Sequence, residues 1–168
     1  MIVKDATVLI HLAKTTLLEK SCEMFKKVIV PSLVYEEAVE EGKERNYEDS
    51  FLIDNLIKKG KIEVKKVKKK ELLEQLGELN IQGGEAESIA LYLQEEVDLI
   101  ASDDNSVIRK REILEINLIG TPSIILTLYK NRLIDKEKTK KSIKRLREIG
   151  WFNNSVLDRI IMEVERYG

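Results

Sequence analysis

The feature that most constrains this chain is a repeated alternation of very short apolar runs with segments of helical spacing. Ile2-Val3-Lys4, Val28-Ile29-Val30, Asp98-Leu99-Ile100-Ala101 and Ile116-Asn117-Leu118-Ile119 each precede a stretch whose apolar residues recur every three or four positions. Strands this short and this apolar leave no face for water, so the sheet they build must be covered on both sides. Parallel strands also need long crossovers, which the helical segments supply. The pattern predicts an α/β fold with a mostly parallel central sheet of four to five strands flanked by helices. The remaining strand is expected where Ile62, Val64 and Val67 alternate with lysines and one face meets solvent.

Helices are expected over residues 7–13, 15–26, 32–42, 47–59, 71–78, 84–96 and 105–114, and then over 121–131, 136–149 and 154–167. Ser32, directly after Pro31, is placed as the N-cap of the third of these, and Gly60 ends the fourth. No repeat, low-complexity tract or linker divides the chain. One domain over 1–168 is the expectation, with a core over about 1–130 and a helical C-terminal extension over about 131–168.

The composition narrows the function classes. With 168 residues, 43% of them hydrophobic, the chain can bury a core without disulfides or metals to staple it. Its net charge of −1 provides no global field for a polyanion. No apolar run approaches the roughly 20 residues that cross a bilayer, and the first residues lack a secretory pattern. The single cysteine, Cys22, cannot pair internally and reads as a small hydrophobe on a helix, so the expected location is the cytoplasm. His11 is the only histidine, which excludes a histidine-based metal site, and it reads as a packed or partly exposed side chain rather than a base. Neither a Gly-x-Ser-x-Gly elbow nor a phosphate-binding Gly-x-x-x-x-Gly-Lys loop occurs.

What remains is a set of carboxylates at comparable places in the pattern. Asp5 follows the first strand and Asp103-Asp104 follow the strand at 98–101. In a parallel sheet such ends share one edge, where ligands bind. Lys4 points away from the Asp5 face by strand alternation. On the 32–42 helix, Leu33, Val34 and Ala38 form the inward stripe; Glu37 lies on or beside it, whereas Glu36 and Glu40 turn toward water. An inward carboxylate is costly without a partner, so Glu37 requires an explanation. On the 84–96 helix, Ala86, Ile89, Ala90, Leu93 and Val97 form the stripe, with Glu85 and Glu87 flanking it symmetrically. Periodicity does not choose between those two. Each acid also has a purely structural reading: a helix N-cap for Asp103 or Asp104, a favourable first-turn charge for Glu85 or Glu87. Two carboxylates about 5 Å apart repel by about 3 kcal/mol at an effective dielectric near 20, so a converged set would need a cation. Oxygen-only donors suit Mg²⁺ or Mn²⁺.

The segments Val3-Lys4-Asp5-Ala6-Thr7-Val8-Leu9-Ile10, Val30-Pro31-Ser32-Leu33-Val34-Tyr35-Glu36-Glu37, Gly84-Glu85-Ala86-Glu87 and Leu99-Ile100-Ala101-Ser102-Asp103-Asp104 resemble those of PIN-domain proteins. That superfamily includes VapC-type toxins of prokaryotic toxin–antitoxin pairs; Gly-Glu-Ala-Glu, Asp-Asp and Ile119-Gly120-Thr121 are most similar to a less characterised prokaryotic subgroup. The resemblance implies a three-layer α/β fold and a metal-dependent ribonuclease. It assigns Asp5, Glu37, Glu85 and Asp104 as the catalytic, metal-holding acids, with Asp103 as an auxiliary metal residue and Mg²⁺ or Mn²⁺ as the cofactor. It selects Glu85 because the family's acid follows the glycine. It also implies RNA as substrate, a homodimer and, for a toxin, a small antitoxin protein blocking the site. The chain departs from the family pattern in placing Ala6 before Thr7 and in carrying Glu at the third acid position. The competing readings are a non-catalytic RNA- or protein-binding module and a metal-dependent nuclease of single-stranded DNA. Two basic runs, Lys58 to Lys70 and Lys136 to Arg147, read as solvated faces or as tracks for an RNA backbone. Trp151-Phe152 are expected as packing anchors for the tail or as a dimer contact.

Overall fold

The computed structural model of the protein describes residues 1–168. Five parallel strands, β1 (Ile2–Lys4), β2 (Val28–Pro31), β3 (Ile62–Lys65), β4 (Leu99–Ala101) and β5 (Leu118–Ile119), stand in the order β3-β2-β1-β4-β5. The sheet is parallel throughout, with Ile2 opposite both Val28 and Leu99 and Ile100 opposite Leu118. Side chains alternate strictly between two cores, as a pleat requires. Ile2, Val28, Val30 and Ala101 enter one buried cluster, whereas Val3, Ile29 and Ile100 enter the other.

The larger cluster is covered by α1 (Ala6–Lys14), α2 (Leu18–Phe25), α5 (Glu48–Lys58) and α9 (Thr121–Lys130), together with α10 (Lys136–Ile149) and α11 (Asn154–Tyr167). Residues of the C-terminal pair, Ile143, Leu146, Leu157, Ile160 and Val164, belong to this same cluster. The smaller cluster lies under α6 (Lys70–Glu78), α7 (Gly83–Gln94) and α8 (Asn105–Lys110). The crossover from β1 to β2 thus lies on one face of the sheet and the crossover from β3 to β4 on the other. No helix is long and apolar enough to cross a membrane.

Three local departures from the periodic pattern have physical causes. The single helix expected at 32–42 is α3 (Ser32–Tyr35), a π-helical turn (Glu36–Glu40) and α4 (Glu41–Glu44). The Glu41 amide donates to the Glu36 carbonyl, five residues back, and the widened turn buries both Ala38 and Val39. Leu93 is 41% exposed instead of inward, while Leu91 and Tyr92 are buried. Helix α7 touches the sheet on one side and α3 and α6 on others, so its buried surface is far wider than one stripe. Finally, Lys4 has no solvent exposure at all. It shares the Ile2 face and its ammonium donates to Ser21 Oγ at 2.5 Å, with the Phe25 ring 5.4 Å away.

Candidate functional site

Strand order β2-β1-β4 places the switch point of the sheet between β1 and β4: one connection from β1 leads to the β2 side, and the chain returns later on the other. At such a point the carboxyl ends of the strands open a crevice. Asp5 ends β1 on one side of it, and Ser102-Asp103-Asp104 follow β4 on the other.

Asp5 is buried at 3% exposure and is the N-cap of α1. Its Oδ1 accepts from the Val8 amide at 3.0 Å and from the Thr7 hydroxyl at 2.7 Å. Its Oδ2 accepts from the Ser102 hydroxyl across the crevice. Ser102 Oγ in turn accepts from the Asp104 amide at 3.1 Å. A continuous chain from Thr7 through Asp5 and Ser102 to Asp104 therefore ties the two strand ends together. Burial pushes the Asp5 carboxyl up to about 7 against the pull of those donors, with Asp103 adding repulsion. Thr7 and Ser102 orient Asp5, a role that reading residues for charge alone overlooks. The signal that finds Ser102 is its place two residues before Asp104, an arrangement that favours a hydroxyl bonding to nearby backbone.

Glu37 sits on the π-helical turn, half-buried, with Glu36 and Glu40 exposed. Its carboxylate lies against the start of α7, so closely that a Cβ on Gly84 would meet Glu37 Oε2 at 2.7 Å and Oε1 at 3.1 Å. Gly84 is thus required by close approach. A Cβ at Gly83, whose φ of +66° is left-handed, would be 4.0 Å from Glu37 Oε1 and 3.8 Å from Glu85 Oε2, so both carboxylates border this one point. Burial, and then the charge of Glu85, hold the Glu37 carboxyl above its ordinary value; the Gly84 amide opposes them. Glu85 and Glu87, which periodicity left equivalent, are placed differently. Glu87 accepts from the Leu33 amide at 3.0 Å and so caps α3 from outside. Glu85 has no such partner and faces Glu37.

The Asp-Asp pair also divides. Asp104 caps α8: its Oδ1 accepts from the Ser106 amide at 2.7 Å and the Val107 amide at 3.3 Å, and Oδ2 remains open. Asp103 is buried, and its carboxylate oxygens are taken up by partners within the fold. Its Oδ1 accepts from the Thr121 amide at 2.7 Å, and its Oδ2 from the Thr121 hydroxyl and from His11 Nδ1 at 2.7 Å. Strand alternation turns it to the opposite side from Asp104, where it secures the start of α9. His11, also buried, packs edge-on against Phe152 at 5.0 Å and lies 5.6 Å from Trp151. The Trp151 indole donates to the Asp103 carbonyl at 2.9 Å, so the C-terminal helices are tethered directly behind the crevice.

Asp5 and Asp104 are linked through Ser102, and Glu37 and Glu85 both approach Gly83. No three acidic, histidine or cysteine groups approach closely enough to form a closed ligand cage. None of Asp5, Glu37, Glu85, Glu87 or Asp104 has a basic side chain within 4 Å, although the chain carries 29 lysines and arginines. Oxygen-only donors without a counter-charge suit Mg²⁺, which keeps several waters and takes only one or two carboxylates directly.

Comparison with protein families finds a match to the PIN domain over residues 1–166. Comparison with curated proteins and with solved structures gives no match. The match spans the sheet, the acidic crevice and the C-terminal helices that anchor to it, and the chain belongs to the PIN-domain family.

Proposed function

We propose that this protein is a metal-dependent ribonuclease that hydrolyses RNA phosphodiester bonds, in the role of the toxin of a toxin–antitoxin pair. PIN domains are a nuclease-type fold, and the motif resemblance puts an acid of this chain, Asp5, Glu37, Glu85 or Asp104, at each of four positions. The observation that carries the reading is the crevice itself. Burial holds Asp5 and Glu37 above their ordinary pKa values, and no side-chain cation neutralises them. A site built only for stability would pair such groups.

In this reading Asp5, Glu37, Glu85 and Asp104 hold Mg²⁺ or Mn²⁺ directly or through water, and Asp103 does not. The metal, when bound, lowers the pKa of an attacking water and offsets charge on the phosphate. Thr7 and Ser102 fix the Asp5 carboxylate by donating to Oδ1 and Oδ2 respectively. Gly84 keeps the space that Glu37 needs. The Asp103–His11–Thr121 bonds hold the β4 end and the start of α9 rigid behind Asp104. A homodimer, a small antitoxin partner and a cytoplasmic location complete the proposal.

One feature favours the non-catalytic alternative: three donors already occupy Asp104 Oδ1 as a helix cap. Cleavage of mixed RNA and single-stranded DNA with Mn²⁺, comparing wild type with Asp5→Asn, separates the readings. RNA cleavage lost in the variant is the expected result. Wild type that binds RNA but is as inert as the variant makes this a binding module, and cleavage confined to DNA makes it a DNA nuclease.

A further inference from the structure

Helix α10 carries two cationic faces that the fold treats differently. On one, Lys136 and Lys140 both meet Glu165, and Arg147 meets Asp158 at 2.7 Å, all across the α10–α11 contact. On the other, Lys138, Lys141, Lys144 and Arg145 line a cavity of about 320 Å³ together with Lys14 at the end of α1. The acid on that lining, Glu148, pairs with Arg145 at 3.4 Å. Lys14, Lys141 and Lys144 have no carboxylate within 4 Å. Lys138 is held in place by the Thr15 carbonyl at 3.0 Å and the Thr16 hydroxyl. Burial and the neighbouring charge of Lys141 lower its pKa, as expected of a cation facing others without an anion.

A second observation is independent of these charges. Ser142 lines the same cavity, is 2% exposed, and its hydroxyl is the one buried side-chain polar atom in the protein with no hydrogen-bond partner. A native fold rarely leaves such a group unpaired unless something else meets it. No hydrophobic residue lines the cavity, and its charged groups are mostly cationic, which suits an anionic ligand.

We infer that this cavity is a phosphate subsite for the RNA backbone, remote from the acidic crevice, in which unpaired lysines meet the phosphate oxygens and Ser142 donates its hydroxyl. The assignment rests on the reading of the substrate as RNA. Helix α1 sets the geometry: Asp5 caps its first turn and Lys14 ends it, about 14 Å away at 1.5 Å per residue. A single strand spans that distance in a few nucleotides. Contact through charge alone gives affinity without sequence preference.

The test is anisotropy of a labelled single-stranded RNA across a salt series, in EDTA so that no cleavage occurs. The double variant Lys141→Gln/Lys144→Gln should lower the slope of log K against log salt by about 1.4, at about 0.7 per phosphate contact. Binding should weaken on the order of tenfold or more at low salt. The double variant Lys136→Gln/Lys140→Gln, with the same change of net charge on the paired face, should leave the slope nearly unchanged. Ser142→Ala should weaken RNA binding severalfold while its Tm stays level or rises. The site is overturned if the first variant keeps the wild-type slope, if both pairs shift it equally, if wild type binds no RNA, or if calorimetry shows inorganic phosphate binding that RNA does not compete. Cleavage with Mn²⁺ but an unchanged slope refutes this subsite alone. Salt-sensitive binding through the cavity without cleavage refutes the nuclease instead.

Discussion

Replacing Asp5 by Asn should stabilise the metal-free protein at neutral and alkaline pH while removing its activity. Burial raises the Asp5 carboxyl from 3.8 to about 7, so the folded protein binds this proton more tightly than the unfolded chain does. The sign follows: between pH 4 and pH 7 the native state holds more protons, and stability falls as pH rises. Above about pH 7 the cost of keeping a bare carboxylate there is complete. At about 1.4 kcal/mol per pH unit it amounts to about 4 kcal/mol. Asn is nearly isosteric, and its Oδ1 can still accept from Val8 and Thr7. Its amide would face Ser102 Oγ, which already accepts from the Asp104 amide and can accept again once its own proton turns away. The variant should therefore gain several kcal/mol at pH 8 and almost nothing at pH 4. Urea unfolding in EDTA at both pH values measures the difference, in which the other titrating groups cancel. Equal stability at pH 8, or a gain that does not change with pH, would refute the argument. Adding Mn²⁺ should narrow the gap, since a ligand at 100 times its Kd adds about 2.7 kcal/mol to the form that binds it.

Three further perturbations separate roles that look alike in sequence. Glu85→Gln should reduce cleavage by at least about 100-fold, whereas Glu87→Gln, which keeps an oxygen for the Leu33 amide, should change it less than about threefold; kcat/KM for both variants checks this. Lys4→Met should stabilise the protein by about 3 kcal/mol at pH 7, because burial lowers the Lys4 ammonium from 10.5 to about 8. That advantage should fade as pH rises from 8 to 10.5, where wild type loses the buried proton and gains stability; parallel urea curves at pH 7 and 10 measure it. Asp103→Ala should cost about 3–5 kcal/mol in thermal or urea unfolding, since it leaves His11 and both donors of Thr121 without their acceptor in the interior.

Much of this architecture is a consequence of patterns a few residues long. A short strand with no polar face has to lie in a covered sheet, so Val28-Ile29-Val30 and Leu99-Ile100-Ala101 predict a parallel α/β fold before any contact is known. Glu37 was visible because helical angle set it beside Val34 and Ala38, and the π-helical turn left it half-buried even though it displaced Val39 inward. What sequence could not supply was every choice made by neighbours distant in the chain. Glu85 and Glu87 lie at equal angles on one helix, and the Leu33 amide, more than 50 residues away, is what occupies one of them. Asp103 and Asp104 are adjacent, yet Thr121 and His11 claim the first while α8 and the crevice take the second. Lys4 read as a lysine directed away from the site, but its complete burial depends on Ser21 and Phe25 closing over it. Local periodicity gives direction within an element; only tertiary packing decides which donor or charge a carboxylate meets there, because those partners arrive from other elements.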